Sequence, residues 1–165
     1  MTNIELRPLQ QGDIDILIPL VRRIWLPHYA PIVDTGTIEH ILAARLTHEN
    51  LGRYIGAEDR GLDVLWDGGE AIGYCSYART GNEVKLEQLY LLPAYKGRGL
   101  GRRMMEHILA WAEATGARTI FLQVNKANRE AIAVYERSGF RLREAVVIDI
   151  GNGHVMDDYI FEKTI

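Results

Sequence analysis

A chain of 165 residues can bury a substantial core as one domain, residues 1–165, and its 47% hydrophobic and 25% charged content are those of an ordinary globular protein. The net charge of −3 argues mildly against a nucleic-acid partner, and a single cysteine excludes both an internal disulfide framework and a multi-cysteine zinc site. No apolar N-terminal segment or membrane-length apolar run is present, so a cytoplasmic protein with neither a membrane partner nor a metal is expected.

The elements are taken in chain order. Asn3 to Arg7 alternates as a strand ended by Pro8. A helix then opens at Asp13, a candidate N-cap, with Ile14, Leu17, Ile18, Val21 and Trp25 at helical spacing and Pro19 as a candidate kink. A second helix is expected from about Thr37 to Thr47, with Ile38, Ile41, Leu42 and Leu46 as its buried stripe. Residues 50–60 give no clear pattern. Leu62 to Trp66 and Ala71 to Ala78 are strands joined through Asp67-Gly68-Gly69-Glu70, a hairpin signal. Gly73 marks a bulge or a close approach within the second of these. Cys75 has no histidine at a spacing that suggests a nucleophile and reads as a buried residue. After the turn Thr80-Gly81-Asn82, a central strand runs from Glu83 to Leu92.

The chain is organised around the stretch from Leu86 to Arg103: strand, turn, glycine-rich basic loop and helix start. Gly97, Gly99 and Gly101 alternate with Arg98, Leu100 and Arg102, and Lys96 and Arg103 flank them. Glycines let backbone N–H groups approach an anion, and a helix N-terminus adds unpaired donors and the positive end of its dipole. A diphosphate ester suits such a loop. The spacing is neither GxxxxGK[ST] nor GxGxxG.

The helix from about Gly99 to Thr115, stopped by Gly116, leads into a strand from Arg118 to Val124, which completes a βαβ unit with a parallel pair. A short helix from Asn128 to Arg137 ends at Ser138-Gly139. Phe140 to Ile150 and His154 to Lys163 form a final hairpin through Gly151-Asn152-Gly153.

Two segments together resemble a known family. Lys96-x-x-Gly99-x-Gly101, after LEQLYLLP, is similar to the acetyl-CoA loop of the GNAT superfamily of N-acetyltransferases, with Lys96 where Gln or Arg is usual. NKANREAIAVYERSGF, Asn125 to Phe140, is similar to the second cofactor segment of that family. The terminal DDYIFEKTI resembles small bacterial members, including a spermidine/spermine N-acetyltransferase subgroup. The resemblance implies an α/β (α+β) fold in the order β-α-α-β-β-β-α-β-α-β-β, with a mixed sheet of about seven strands and about four helices.

It also implies roles. Lys96, Gly97, Arg98, Gly99, Leu100, Gly101 and Arg102 would hold the pyrophosphate of acetyl-CoA. Leu89, Tyr90 and Leu91 would pair through their backbones with the pantetheine arm, Leu91 also polarising the thioester carbonyl. Asn128 would bond the pantetheine, and Tyr135, seven residues on, would protonate the departing thiolate. Glu87 is the candidate base. It lies two residues before Leu89, which on a regular strand puts both on one face; a merely salt-bridged glutamate is the alternative. Glu83 and Tyr90 are lesser candidates. By the same resemblance His28, Tyr29, Asp34 and Glu39 would contact the acceptor; separately, the acidic balance of the chain, with Glu83, Glu87, Asp157 and Asp158 toward the acceptor side, mildly favours a cationic one. The expected activity is acetyl transfer to a primary amine of a small molecule. A protein N-terminal or lysine acetyltransferase and a non-catalytic acyl-CoA sensor stand as alternatives, and an exposed last strand would allow a homodimer.

Overall fold

The computed structural model describes residues 3–31, 33–151 and 153–165. A mixed seven-stranded sheet carries the order β1-β2-β3-β4-β5-β7-β6. The strands are β1 (Ile4–Pro8), β2 (Arg60–Asp67), β3 (Glu70–Thr80), β4 (Glu83–Leu91), β5 (Thr119–Asn125), β6 (Arg141–Gly151) and β7 (His154–Thr164). Among the described residues there are five α-helices: α1 (Ile14–Tyr29), α2 (Thr35–Arg45), α3 (His48–Gly52), α4 (Leu100–Ala114) and α5 (Arg129–Arg137). The short α3, in the stretch without a sequence pattern, is the helix beyond those expected.

Alternation explains the layering. Ile14, Leu17, Leu20, Val21, Ile24 and Trp25 form the buried stripe of α1, and Trp25 Nε1 donates to Tyr74 Oη at 2.8 Å on one face of β3. On the other face Met104, Ile108 and Ala112 of α4 cover Val84, Leu86, Ile120 and Leu122, all buried. Pro19 and Pro27 both lie inside α1, which runs through them unbroken. Asp13 precedes α1 but does not cap it; its carboxylate accepts from Gln10 N at 3.0 Å in the preceding 3₁₀ turn. Asp34 is a true cap, accepting from Thr37 N at 3.1 Å, so α2 starts two residues earlier than expected. The expected stripe of α2 is buried at Ile38 and Leu42 and partly buried at Ile41 and Leu46.

The two sequence-predicted glycine hairpins close as expected, with Gly68 and Gly81 at φ of 61° and 62°. Gly73 meets both of its expectations. Register slips beside it as Trp66 faces Ala71 while Leu65 faces Gly73, and a Cβ on Gly73 would sit 2.7 Å from Tyr90 O. Asn152, at the centre of the final turn, lies outside the described residues. The last strand is not an edge: β7 pairs with β5 on one side and β6 on the other, so any edge-to-edge pairing there falls to β6.

The feature that positions the site is a fork. Strands β4 and β5 pair in parallel from Glu83↔Thr119 only as far as Leu86↔Leu122. Beyond that point β4 stays on β3 and β5 stays on β7, so the two middle strands part. A bulge coincides with the parting, since Tyr77 faces Leu86 while Ser76 faces Gln88, leaving Glu87 as the extra residue.

Candidate active site

The fork opens onto a cavity of about 1630 Å³. That exceeds the roughly 300–1,000 Å³ of a site for one drug-sized ligand, so the cavity has room for a long ligand and a second molecule beside it.

One half of the site is backbone. Leu92 N donates to Ile72 O at 2.9 Å on the β3 side. In an antiparallel ladder the inward and outward groups alternate, so Leu89 and Leu91 direct their N–H and C=O groups into the fork. Tyr90 does not. Its backbone belongs to β3, paired with Tyr74, and the expectation that it adds to an open edge is corrected; it contributes its side chain instead.

At the end of β4 a 3₁₀ turn (Pro93–Tyr95) delivers the glycine loop. Gly97 and Gly99 have φ of 79° and 77°, a region L-residues avoid, and Gly99 is the N-cap of α4. The first helical bond around it is Arg103 N to Gly99 O, at 3.1 Å. The amides just before Arg103 are therefore the orphan donors every helix start leaves. This is a cradle for an anion, made from the residues expected to hold a pyrophosphate. Gly101 differs from its neighbours in lacking a positive φ, and an added Cβ would meet only ordinary contacts, 3.8 Å from Leu89 and 3.9 Å from Leu91. Of the basic side chains, Arg102 pairs with Glu106 at 3.2 Å, Arg103 reaches Ile4 O, and Arg98 lies over the Tyr95 ring. Lys96 lines the cavity, where its charge acts on His28.

The other half is side chains. Tyr29 and Tyr90 join hydroxyl to hydroxyl, and Trp25, His28 and Tyr74 pack around Tyr90 with ring centroids 5.7–5.9 Å away. Burial holds the Tyr90 phenol well above its usual range; for Tyr29 burial dominates and the negative charge of Asp158 adds to it. His28 is held below its ordinary value, first by burial and then by the Lys96 charge. His28 Nε2 stands 3.3 Å from Asn128 Nδ2. Asn128 also caps α5, accepting from Ala131 N at 3.3 Å, which explains its place ahead of that helix. Tyr135, two turns on, packs edge-on against Phe140, and burial pushes its phenol up to about 12.

Glu87 departs from its expected place. The bulge breaks the i, i+2 rule, so Glu87 turns to the face of Gln88 and Tyr90, while Leu89 and Leu91 turn toward α4. Its Oε1 accepts from Tyr54 Oη at 2.6 Å, and the next residue, Gln88, accepts from Tyr74 Oη at 2.5 Å. The other acids sort by partner. Glu83 is forked by Arg143 at 2.9 and 3.3 Å, and Asp157 pairs with Lys126 at 2.7 Å. Asp158 is 5% exposed and among the described residues receives only the Gln123 amide, at 2.9 Å. Of the proposed acceptor contacts, Asp34 is occupied as a helix cap and Glu39 pairs with Arg22 at 2.8 Å; neither lines the cavity, whereas His28 and Tyr29 do. Tyr54, Gln88 and Gln123 also line the cavity, and no motif in the sequence marks them. Cys75 is buried within the sheet and its thiol is pushed up by burial, which fits a structural residue. Among the described residues there is no cluster of His, Cys, Asp and Glu that could hold a metal, and no helix is long and apolar enough to cross a membrane.

Comparison with known proteins agrees with this geometry. Residues 22–140 match the model of the Acetyltransferase (GNAT) family. An uncharacterised N-acetyltransferase of Mycobacterium tuberculosis is 28% identical over 152 residues, covering 92% of this chain and 97% of that one. A spermidine N(1)-acetyltransferase of Thermoplasma acidophilum is 27% identical over 146 residues, covering 86% and 91%. The crystal structure of the PaiA N-acetyltransferase of the same organism, in complex with coenzyme A, superposes with a TM-score of 0.86 at 23% identity, covering 99% of both chains. With its forked sheet, its glycine cradle and a family match over most of its length, the chain belongs to the Acetyltransferase (GNAT) family and is an N-acetyltransferase.

Proposed function

We propose that the chain transfers an acetyl group from acetyl-CoA directly to a primary amine of a small molecule, a polyamine or another amino compound. The observation that carries this reading is the fork. Its open β4 edge ends in a glycine cradle, and the side-chain half of the same cavity lies beside it. The residues fit the donor. The amides of the loop from Lys96 to Arg102 suit a pyrophosphate, and the backbone groups of Leu89 and Leu91 suit the amide-bearing pantetheine arm as an added strand. Asn128, on the wall of the same cavity, would bond that arm.

Acetyl-CoA supplies an activated thioester; the protein supplies position and protons. The Leu91 N–H stabilises charge developing on the thioester oxygen. Tyr135 donates its proton to the departing thiolate. A phenol pushed up to about 12 stays protonated across the working pH range, and the burial that raises it also raises the basicity of a thiolate beside it. A carboxylate must take the proton of the acceptor ammonium. Glu87 is one candidate, on the acceptor side of the sheet, where the hydroxyl of Tyr54 fixes one of its oxygens.

A cationic small amine is favoured by Glu87 and Asp158, which both line the cavity, and by similarity, over 86% of the chain, to a protein named a spermidine N(1)-acetyltransferase. The test is thiol release from acetyl-CoA with spermidine, amino acids, aminoglycosides and short peptides. Turnover with a small amine is the expected result; turnover confined to peptides would move the assignment to a protein acetyltransferase.

A further inference from the structure

Among the described residues, the acceptor side of the fork holds one acid with a buried oxygen that has no hydrogen-bond partner. Asp158 sits on β7 opposite Asn125 of β5, three residues past the point where β5 leaves β4. It is 5% exposed, yet it lines the cavity. Its Oδ2 accepts from Gln123 Nε2 at 2.9 Å, and its Oδ1 has no hydrogen-bond partner among the described residues. A buried carboxylate oxygen without a donor costs free energy that the fold does not recover. Such an atom on the wall of a binding cavity calls for a ligand that brings the donor.

Its surroundings narrow the ligand. Lys85 from β4 and Lys126 after β5 act on Asp158 by charge from a distance, Asp157 opposes them, and Tyr29 faces it from α1. No cation among the described residues makes an ion pair with it, although Lys126 pairs with the adjacent Asp157 at 2.7 Å. Glu87 differs, because Tyr54 meets its Oε1 and neither of its oxygens is buried without a partner. β7 continues with β5 on the arm of the fork opposite β4, so Asp158 stands across the fork from Leu89 and Leu91, on whose strand the acetyl group would be laid.

We propose that Asp158 receives the acceptor: its free Oδ1 takes a hydrogen bond from the substrate ammonium and then its proton, which makes a cationic amine the substrate class. This inference rests on the acetyl-transfer reading above. The ammonium N–H bond breaks and the proton passes to Asp158. The freed lone pair forms the N–C bond at the thioester carbonyl, the C–S bond breaks, and the thiolate takes the Tyr135 proton. A second proton from the same nitrogen restores the phenol, and the proton on Asp158 leaves to solvent. Burial raises the Asp158 carboxyl above its ordinary value, which brings it nearer to the amine whose proton it accepts.

The experiment compares Asp158→Asn with Glu87→Gln in the full chain. It reads thiol release over a pH series with the best amine of the panel, spermidine affinity in the presence of saturating CoA, CoA affinity itself, and the thermal midpoint. Asp158→Asn is expected to lower kcat/KM by about 100-fold or more, as loss of a general base does. CoA affinity should stay within about threefold, and the midpoint should rise, because the variant no longer buries a charge. Turnover by Asp158→Asn within about threefold of wild type overturns the proposal, as does a larger loss in Glu87→Gln. So does a loss of thermal midpoint together with CoA affinity, which would mark Asp158 as structural. If wild type binds CoA but acetylates no amine, the acetyl-transfer reading fails by itself. Asp158 is then decided by spermidine affinity: about tenfold weakening in the variant supports it as the amine-binding group, and equal or absent binding in both proteins overturns it.

Discussion

The two sides of the fork are built from different materials. On the proposed donor side the groups offered are backbone: the N–H groups of Leu89 and Leu91, and the amides of a loop whose Gly97 and Gly99 hold φ of 79° and 77°. On the acceptor side they are side chains brought from α1, β3, β4, β5 and β7, among them Tyr29, Tyr90, Gln123 and Asp158. A backbone site needs glycines at fixed spacing and a strand before them, whatever the surrounding side chains. A side-chain site can be rebuilt by single substitutions. The contrast predicts that donor-side changes act on CoA binding and acceptor-side changes act on turnover.

The largest effect expected is at Gly99. Gly99→Val forces a β-branched residue to φ of 77° in the middle of the cradle. Loss of even one or two charge-assisted hydrogen bonds to the pyrophosphate would weaken CoA by about 100-fold or more. Calorimetric titration of CoA measures this directly, and an unchanged affinity would remove the loop from the donor site. Next is Tyr135→Phe, which keeps the ring against Phe140 and removes only the hydroxyl. It should lower kcat by about 10- to 100-fold while leaving CoA affinity within about threefold. Steady-state kinetics beside calorimetry separates the two quantities, and equal losses in both would show that Tyr135 packs rather than donates.

Glu87→Gln should cost less, within about tenfold in kcat/KM, because Tyr54 can donate to the amide oxygen as it does to the carboxylate. A rate loss concentrated at low pH, where more of the amine is protonated, would return the base role to Glu87. The smallest effect is at Gly101, the one cradle glycine whose φ is not positive and whose added Cβ would meet only ordinary contacts. Gly101→Ala should keep CoA affinity within about threefold and raise the thermal midpoint by about 1–3 °C, since alanine is the better helix former. A large loss there would show that the ligand approaches closer than the protein contacts require.

A control lies away from the fork, on the α4 side of the sheet. Asp63, 3% exposed, accepts from Tyr77 Oη at 2.7 Å and stands 3.1 Å from His107 Nε2. Hydrogen bonding to Asp63 raises the His107 imidazole above its ordinary value of 6.5. A raised folded value means that the contribution to stability is complete below pH 6.5 and is lost as pH rises through the folded value. Thermal midpoints of wild type and His107→Gln should therefore converge above that value and separate below it, without a change in CoA affinity.

Legibility in the sequence divides along the same line as the site. The strands, the βαβ unit and the glycine loop are readable because alternation, helical spacing and turn glycines are local signals. Tyr135 and Asn128 are readable only through the family pattern, which no periodicity contains. Alternation puts Glu87 on the wrong face, because one extra residue between Leu86 and Gln88 reverses it and no residue type announces a bulge. In the sequence Asp158 is one of four acids. What separates it is tertiary: all four find a partner, but only Asp158 is left with a buried oxygen that has none among the described residues. The expected exposed last strand fails for a topological reason, since β7 returns between β5 and β6.

The central claim is that the fork and its glycine cradle form the donor site. The most direct measurement is a titration of the isotope-labelled chain with CoA, followed amide by amide in ¹H–¹⁵N spectra. The largest changes should fall on Leu89, Leu91 and the residues from Gly97 to Arg102, with Tyr90, whose N–H faces β3, changing less than its two neighbours. Saturable binding whose shifts avoid both β4 and the loop would contradict the account.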